Sequence, residues 1–191
     1  KNETSDWKEL GDFKNYLDAN DGNQAVQTMN SILANSQIPN AVKHRVMNEF
    51  LIFAYNNPQF EGNLEKAISL FDSDKEVNVA QAIGKFYQNK KQTEKAIRFY
   101  ELALQKQVGV VETNLLLLEA YTQAKQFEPM TQRAMMLIEI YPSQPQFYYY
   151  AGLGSNQLKQ FKNAKTVLEM GLDYVVEDKK LEANFNIQLG E

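Results

Sequence analysis

The sequence predicts an all-α protein built from stacked helical hairpins. The first observation is a repeated residue pair, since Lys91-Gln92, Lys125-Gln126 and Lys159-Gln160 are each 34 positions apart. The second is that apolar residues recur three and four positions apart along the chain, which is the spacing of one helix face. A fixed period of this length is typical of helical units that bury their apolar faces against neighbouring copies.

Three repeats of equal length cover the second half of the chain. They are the segments Val77–Val110, Val111–Gln144 and Pro145–Asp178. When the segments are superimposed, the same residue types share a column. The matching sets are Gly84, Leu118 and Gly152, then Tyr87 and Tyr121, then Ala96 and Ala164, and the amides Asn89, Gln123 and Gln157. Each segment therefore predicts two helices, with the Lys-Gln pair at the tight turn between them.

This period and residue pattern resemble those of the tetratricopeptide repeat. The residues that carry the resemblance are Ile83, Gly84, Tyr87, Ala96, Tyr100 and Ala103, then Leu117, Tyr121, Ala134 and Pro142, then Tyr148, Ala151, Gly152, Ala164, Leu168 and Gly171. Two departures occur: Ala80, Asn114 and Tyr148 replace the signature Trp, and Met130 stands where a small Ala is usual. The resemblance implies a right-handed α-α superhelix, a solenoid of helical hairpins, over residues 77–178.

Residues 1–76 are predicted to be helical without keeping the strict period. The turn signal Asn20-Asp21-Gly22 separates a first helix from a second, and Pro39 and Pro58 bound a third. A short fourth helix contains Ala67, which lies 29 positions before Ala96. We interpret the region as two degenerate hairpins that cap the array, and a separate small helical domain is the competing interpretation.

Residues 179–191 are predicted to begin a further, truncated repeat. Leu189-Gly190 resembles the Leu-Gly step of a first helix, so we expect this helix to start near Ala183. Asp178, Lys179 and Lys180 would then lie in a lengthened loop. Because no partner helix follows in the sequence, we expect the chain to be a fragment of a longer protein. Self-association through this last helix is the second expectation.

Composition excludes several classes of function. The 24 acidic and 20 basic residues give a net charge of −4, which provides no electrostatic footprint for nucleic acid. No apolar run approaches the ~20 residues needed to span a bilayer. The chain has no Cys, a single His and no Gly-rich phosphate loop, so the sequence predicts no enzyme, cofactor site or metal site.

The resemblance implies a binding function. The first helices of tetratricopeptide repeats line a concave groove that takes an extended peptide or a partner's helix. The positions implied here are Asn78, Gln81, Lys85, Gln88, Glu112, Leu115, Glu119, Thr122, Gln146, Tyr149, Leu153 and Asn156. The predicted function is therefore a scaffold that binds another protein or a peptide segment. The alternative is an architectural segment that self-associates without a dedicated ligand, and the aromatic run Phe147–Tyr150 alone suggests a carbohydrate-binding module.

We expect no carboxylate clamp of the kind that chaperone-tail-binding repeats use. A bound carboxylate needs several converging donors to offset its desolvation. Glu112 and Glu119 occupy positions where such donors would be needed. The groove is therefore predicted to reject a free carboxylate end.

Two residue patterns are predicted to have structural roles. Four consecutive residues of a helix point in four directions, so we expect two rings of Phe147–Tyr150 in the interior and two at interfaces. Lys91, Lys125 and Lys159 are expected to form a solvated edge.

The stretch from Phe147 to Glu191 also resembles bacterial tetratricopeptide proteins that are often predicted to be exported. That resemblance suggests the periplasm or cell envelope, with the cytoplasm as the alternative.

Overall fold

The computed structural model describes residues 3–71, 78–106 and 111–190 and shows α-helices joined by short turns. Within these residues there is no strand, so the all-α prediction is confirmed. The helices are α1 Glu3–Asp18, α2 Gly22–Ala34, α3 Asn40–Asn56, α4 Glu61–Ile68, α5 Val79–Asn89, α6 Thr93–Lys106, α7 Val111–Gln123, α8 Phe127–Ile140, α9 Pro145–Gln157, α10 Phe161–Leu172 and α11 Lys179–Leu189. Two short 3-10 helices, Pro58–Phe60 and Ser69–Phe71, flank α4.

Contacts divide the chain into two compact units, Lys1–Ile83 and Gly84–Glu191. The division falls inside α5. The expected bounds Val77 and Val110 of the first repeat lie outside the described residues.

The first hairpin of the first unit, α1–α2, closes through a turn with a left-handed residue. Asn20 has a φ of 57°, and the N–H of Asp21 donates to the carbonyl of Tyr16 at 2.8 Å. The N–H of Asn20 donates to Leu17 at 3.0 Å, so the pair of bonds completes a Schellman motif. The Asp21 side chain then caps α2 by accepting from Gln24 N at 3.2 Å. The predicted turn signal therefore has a specific geometry.

The second hairpin, α3–α4, closes differently. Asn57 ends α3, and Pro58 begins a 3-10 turn because proline lacks the N–H that would continue the helix. The ring of Phe60 in this turn lies 5.6 Å from that of Phe53. No residue from Asn40 to Ile68, the span of this hairpin, has a positive backbone φ. Both hairpins of the first unit are therefore helical, but the turns that close them differ in conformation.

The second unit repeats one turn three times. Lys91, Lys125 and Lys159 have φ values of 58°, 57° and 61°, and all three are exposed. The residue after each lysine donates its N–H five positions back, at 2.8–2.9 Å, in the same Schellman geometry as the α1–α2 turn. The predicted lysine column is thus a column of left-handed helix caps at the solvent edge.

Met130, the departure from the usual small residue, is fully buried between α8 and α9. The absence of a side chain at Gly154 makes room for it. A Cβ at Gly154 would lie 3.0 Å from Met130 Cε and would overlap the Thr131 hydroxyl. The larger residue on α8 is therefore matched by a smaller one on the following helix.

The start predicted for the last helix was wrong. α11 begins at Lys179, and the Asp178 side chain caps it by accepting from Leu181 N at 2.9 Å. The helix thus keeps the 34-residue period, and its buried Leu181 and Phe185 follow Phe147 and Ala151 at that spacing. Gly190 is not the packing glycine of a first helix, because its φ of 86° makes it the C-terminal cap.

Candidate functional site

The candidate site lies where α5, α7 and α9 present their solvent-exposed sides. We call this surface the first-helix face; it comprises residues 84–89 of α5 together with α7 and α9. An ion pair joins α5 to α7, with Lys85 Nζ 2.7 Å from Glu112 Oε1. Both side chains are largely exposed, so the pair contributes little stability. Its effect is to occupy the one base that the sequence predicted for the groove.

A chain of hydrogen bonds continues the contact between α5 and α7. The Gln88 amide donates to Gln123 at 3.4 Å, and the Gln123 amide donates to Glu119 at 3.3 Å. The buried Tyr100 hydroxyl donates to Gln88 Oε1 at 2.6 Å, which fixes the orientation of the Gln88 amide. These polar side chains are therefore positioned by the repeat interior.

An open depression of about 390 Å³ lies over this chain of bonds. Its lining residues are Lys85, Gln88, Asn89, Leu116, Glu119 and Gln123. The sequence predicted Lys85, Gln88 and Glu119 for the groove and missed the other three. Asn89 and Gln123 belong to the amide column that was already visible in the repeat, so that column was the signal that could have found them.

Glu119 influences two tyrosines from neighbouring repeats. Burial raises the pKa of Tyr100 to about 12, and the negative charge of Glu119 adds to the shift. Burial likewise raises the pKa of Tyr150 to about 12, with further contributions from Glu119 and Tyr149. Both phenols are therefore neutral at physiological pH, so neither adds a negative charge to that of Glu119.

Leu115 and Thr122 are less available than their predicted positions suggest. Both are half-buried. The Thr122 hydroxyl donates to the Leu118 carbonyl at 2.9 Å and lies 3.0 Å from the sulfur of the buried Met130. Thr122 therefore faces its hairpin partner α8 and contributes little hydrogen-bonding capacity to an incoming ligand.

Two of the four predicted residues of α9 contact α11. The Tyr149 ring is 5.8 Å from the buried Phe185 ring, and Asn156 Nδ2 donates to the Gln188 carbonyl at 2.8 Å. Gln146 accepts a bond of 2.6 Å from Gln144, and Leu153 is half-buried. The structure therefore does not gather all of the predicted positions into one pocket.

Asn78 and Gln81 belong to the first unit. Asn78 Oδ1 accepts from Gln81 N at 3.0 Å, which makes Asn78 a helix-capping residue at the start of α5. The Gln81 amide nitrogen is buried without a hydrogen bond. Their predicted role in binding a partner stays a prediction.

The prediction that two rings of the aromatic run lie in the interior is confirmed. Phe147 and Tyr148 are buried, whereas Tyr149 and Tyr150 are half-buried. Tyr148 also donates its hydroxyl to the Pro142 carbonyl at 2.8 Å. Two of the four rings are therefore committed to the interior.

A metal centre and a membrane-spanning helix would be other kinds of site. In residues 3–71, 78–106 and 111–190, no group of three His, Asp or Glu side chains is placed to hold a metal ion. Over the same ranges, none of the helices has the length and apolar content to cross a membrane.

Comparison with known proteins supports the fold through structure alone. No protein-family model and no curated protein matches the sequence. The Sgt2 TPR domain from Aspergillus fumigatus is similar in structure, with a TM-score of 0.53 and 19% identity, over 60% of this chain and 78% of that domain. A tetratricopeptide repeat protein from Parabacteroides merdae has a TM-score of 0.53 and 11% identity, over 98% and 74%.

MamA from AMB-1 is a further structural relative, with a TM-score of 0.51 and 11% identity, over 94% of this chain and 97% of that protein. At these identities the similarity establishes the fold and no shared activity. The chain has the tetratricopeptide-repeat fold, and the solenoid that the 34-residue period predicted is confirmed.

Proposed function

We propose that the chain is a non-catalytic scaffold that binds an extended peptide segment of another protein on the first-helix face. The observation that carries the proposal is the depression between α5 and α7, because it concentrates amide side chains on a solvent-exposed surface. An amide offers both donors and an acceptor, which is what an extended peptide backbone requires.

The exposure and the fixed orientation of the amide side chains support the same function. Asn89 and Gln123 are exposed, so a ligand reaches them without displacing the core. Gln88 is held by Tyr100, so its conformational freedom is already restricted before a ligand binds. A preorganised polar surface of this kind suits an extended segment better than a bulky folded partner.

The proposal is tested with two matched double variants of the full chain. Asn89→Ala with Gln123→Ala removes two exposed amides from the first-helix face. Gln132→Ala with Asn163→Ala removes two exposed amides from α8 and α10. Each protein is immobilised, incubated with lysate of the source cells, and the retained proteins are quantified by mass spectrometry.

We expect a partner that is retained by the wild-type chain and by the α8/α10 variant but is lost from the first-helix-face variant. Equal retention by all three proteins would contradict the proposed site. Loss only from the α8/α10 variant would move the binding surface to the second helices.

A second candidate function is self-association near α11. The side chains of Phe161 and Ile187 are 64% and 67% exposed, and they line an open depression of about 430 Å³ with Lys165 and Asn156. Apolar side chains exposed together mark surfaces that associate. Light scattering of the wild type and of Ile187→Lys separates the candidates: a dimer lost in the variant supports self-association, and a monomer in both excludes it.

A further inference from the structure

The first-helix face carries two acidic side chains, Glu112 and Glu119, and one basic side chain, Lys85. Lys85 is occupied by Glu112, which leaves the Glu119 carboxylate as the excess charge of the surface. Within the described residues Glu119 forms no ion pair, and its one hydrogen bond comes from the neutral Gln123 amide at 3.3 Å. An exposed carboxylate with a single neutral donor retains free lone pairs for a ligand.

The surroundings of Glu119 favour an organic cation. Tyr100 is fully buried and Tyr150 is half-buried, and the Glu119 charge adds to the raised pKa of both, so both hydroxyls remain protonated at neutral pH. The half-buried Leu116 lines the same depression and offers an apolar contact for the aliphatic stem of a basic side chain. A small hydrated ion would make no use of this apolar contact.

Amide groups flank the same carboxylate. Gln88, Asn89 and Gln123 line the depression next to Glu119. They offer donors and acceptors at the spacing of neighbouring helices, so they suit the backbone on either side of a basic residue. Leu116 adds an apolar floor to the depression.

We propose that the first-helix face selects an extended peptide segment carrying a lysine or arginine side chain, which donates to the Glu119 carboxylate while the surrounding amides bind the peptide backbone. This inference rests on the proposed function and specifies its ligand. Charge complementarity and the absence of a cationic partner for Glu119 in the described residues carry the choice.

The test starts with selection of a random twelve-residue peptide display library on the full chain. Affinities of selected peptides are then measured by fluorescence anisotropy for wild type, Glu119→Gln and Glu169→Gln. Glu169 is an exposed carboxylate of α10 and serves as the matched control. Each peptide is also made with its basic residue replaced by glutamine.

We expect enrichment of Lys or Arg in the selected peptides and about tenfold weaker binding by Glu119→Gln, with no loss in Glu169→Gln. The glutamine peptide is expected to bind wild type and Glu119→Gln equally, because the two changes remove the same interaction. Glu119→Gln is isosteric at an exposed position, so a folding defect does not enter the comparison.

Two negative outcomes are distinguishable. Peptides that lose affinity with Asn89→Ala and Gln123→Ala, but show no basic enrichment and no response to Glu119→Gln, overturn this inference and leave the proposed function standing. Peptides indifferent to all three substitutions, or a selection that yields none, overturn both.

Discussion

The α7–α8 and α9–α10 hairpins fill the same interior column with different chemistry. In the first, Asn114 is buried and accepts from Arg133 Nε at 2.8 Å. In the second, Tyr148 occupies the equivalent position and stacks on Tyr174 with ring centroids 5.5 Å apart. One hairpin closes through hydrogen bonds and the other through aromatic contact.

The α7–α8 hairpin, which we call the polar hairpin, needs more hydrogen-bond partners than the α9–α10 hairpin. The Tyr121 hydroxyl donates to Glu101 Oε1 at 2.5 Å, and Arg133 lies in the same group of charges. A buried polar group is stable only while its hydrogen bonds are made, whereas the buried Tyr148 ring needs a partner only for its hydroxyl, which donates to the Pro142 carbonyl. The repeat therefore fixes the shape of this column and leaves its chemistry free.

Tyr148→Ala is expected to have the largest effect. Removal of a buried aromatic side chain costs about 4 kcal/mol, because both apolar contact and the stack on Tyr174 are lost. Urea unfolding followed by circular dichroism measures the change. Tyr174→Ala is the control and should cost about 1 kcal/mol, since Tyr174 is itself exposed. Equal losses in the two variants would show that the stack, and not burial, stabilises this hairpin.

Arg133→Met is expected to cost about 2 kcal/mol by removing the hydrogen bond that the Arg133 guanidinium donates to the buried Asn114 amide oxygen. The double variant Arg133→Met with Asn114→Leu should recover part of this loss, because neither partner is then left unpaired. The same urea titration measures both. A double variant that loses the sum of two independent costs would mean that the two side chains do not act as a pair.

Alkaline pH should reveal the contribution of Tyr121 to the stability of the α7–α8 hairpin. Burial, followed by the bond to Glu101, raises the pKa of Tyr121 above its ordinary value of 10. The unfolded chain therefore loses this proton first, and stability should fall as pH rises above 10. Tyr121→Phe should show a shallower decline than wild type in urea titrations between pH 9 and 11. Identical slopes would exclude Tyr121 as a source of alkaline sensitivity.

Lys125→Gly should have the smallest effect and the opposite sign. A φ of 57° strains a lysine but not a glycine, so the substitution should stabilise the chain by about 1 kcal/mol. Lys162→Gly, in the first turn of α10, is the control and should destabilise by up to about 1 kcal/mol. Destabilisation by Lys125→Gly would show that the lysine side chain makes a contribution that outweighs its backbone strain.

The repeat was predictable from the sequence because its turn and core residues recur at fixed spacing. The α11 boundary was not, because Gly190 matched a packing glycine by residue type while serving as a helix cap. The chemistry of Asn114 was also hidden, since its partner Arg133 lies on another helix and has no counterpart in the other repeats.

The candidate site was only partly predictable. Repeat position placed Lys85, Gln88 and Glu119 on one face, and the structure has them around one depression, while their role in binding stays a prediction. It could not show that Thr122 faces Met130, or that Asn156 donates to α11, because these depend on which side chain finds a partner in three dimensions. Residue type and period therefore locate a face but do not state which of its side chains are available.

Photo-cross-linking tests the central claim most directly, namely that the stacked hairpins present their first helices to an extended ligand. A selected peptide carrying a diazirine is irradiated with the full chain, and the attachment sites are mapped by mass spectrometry. The account predicts attachment within residues 84–89, 111–123 and 145–157. Attachment confined to α8 and α10, residues 127–140 and 161–172, would contradict it.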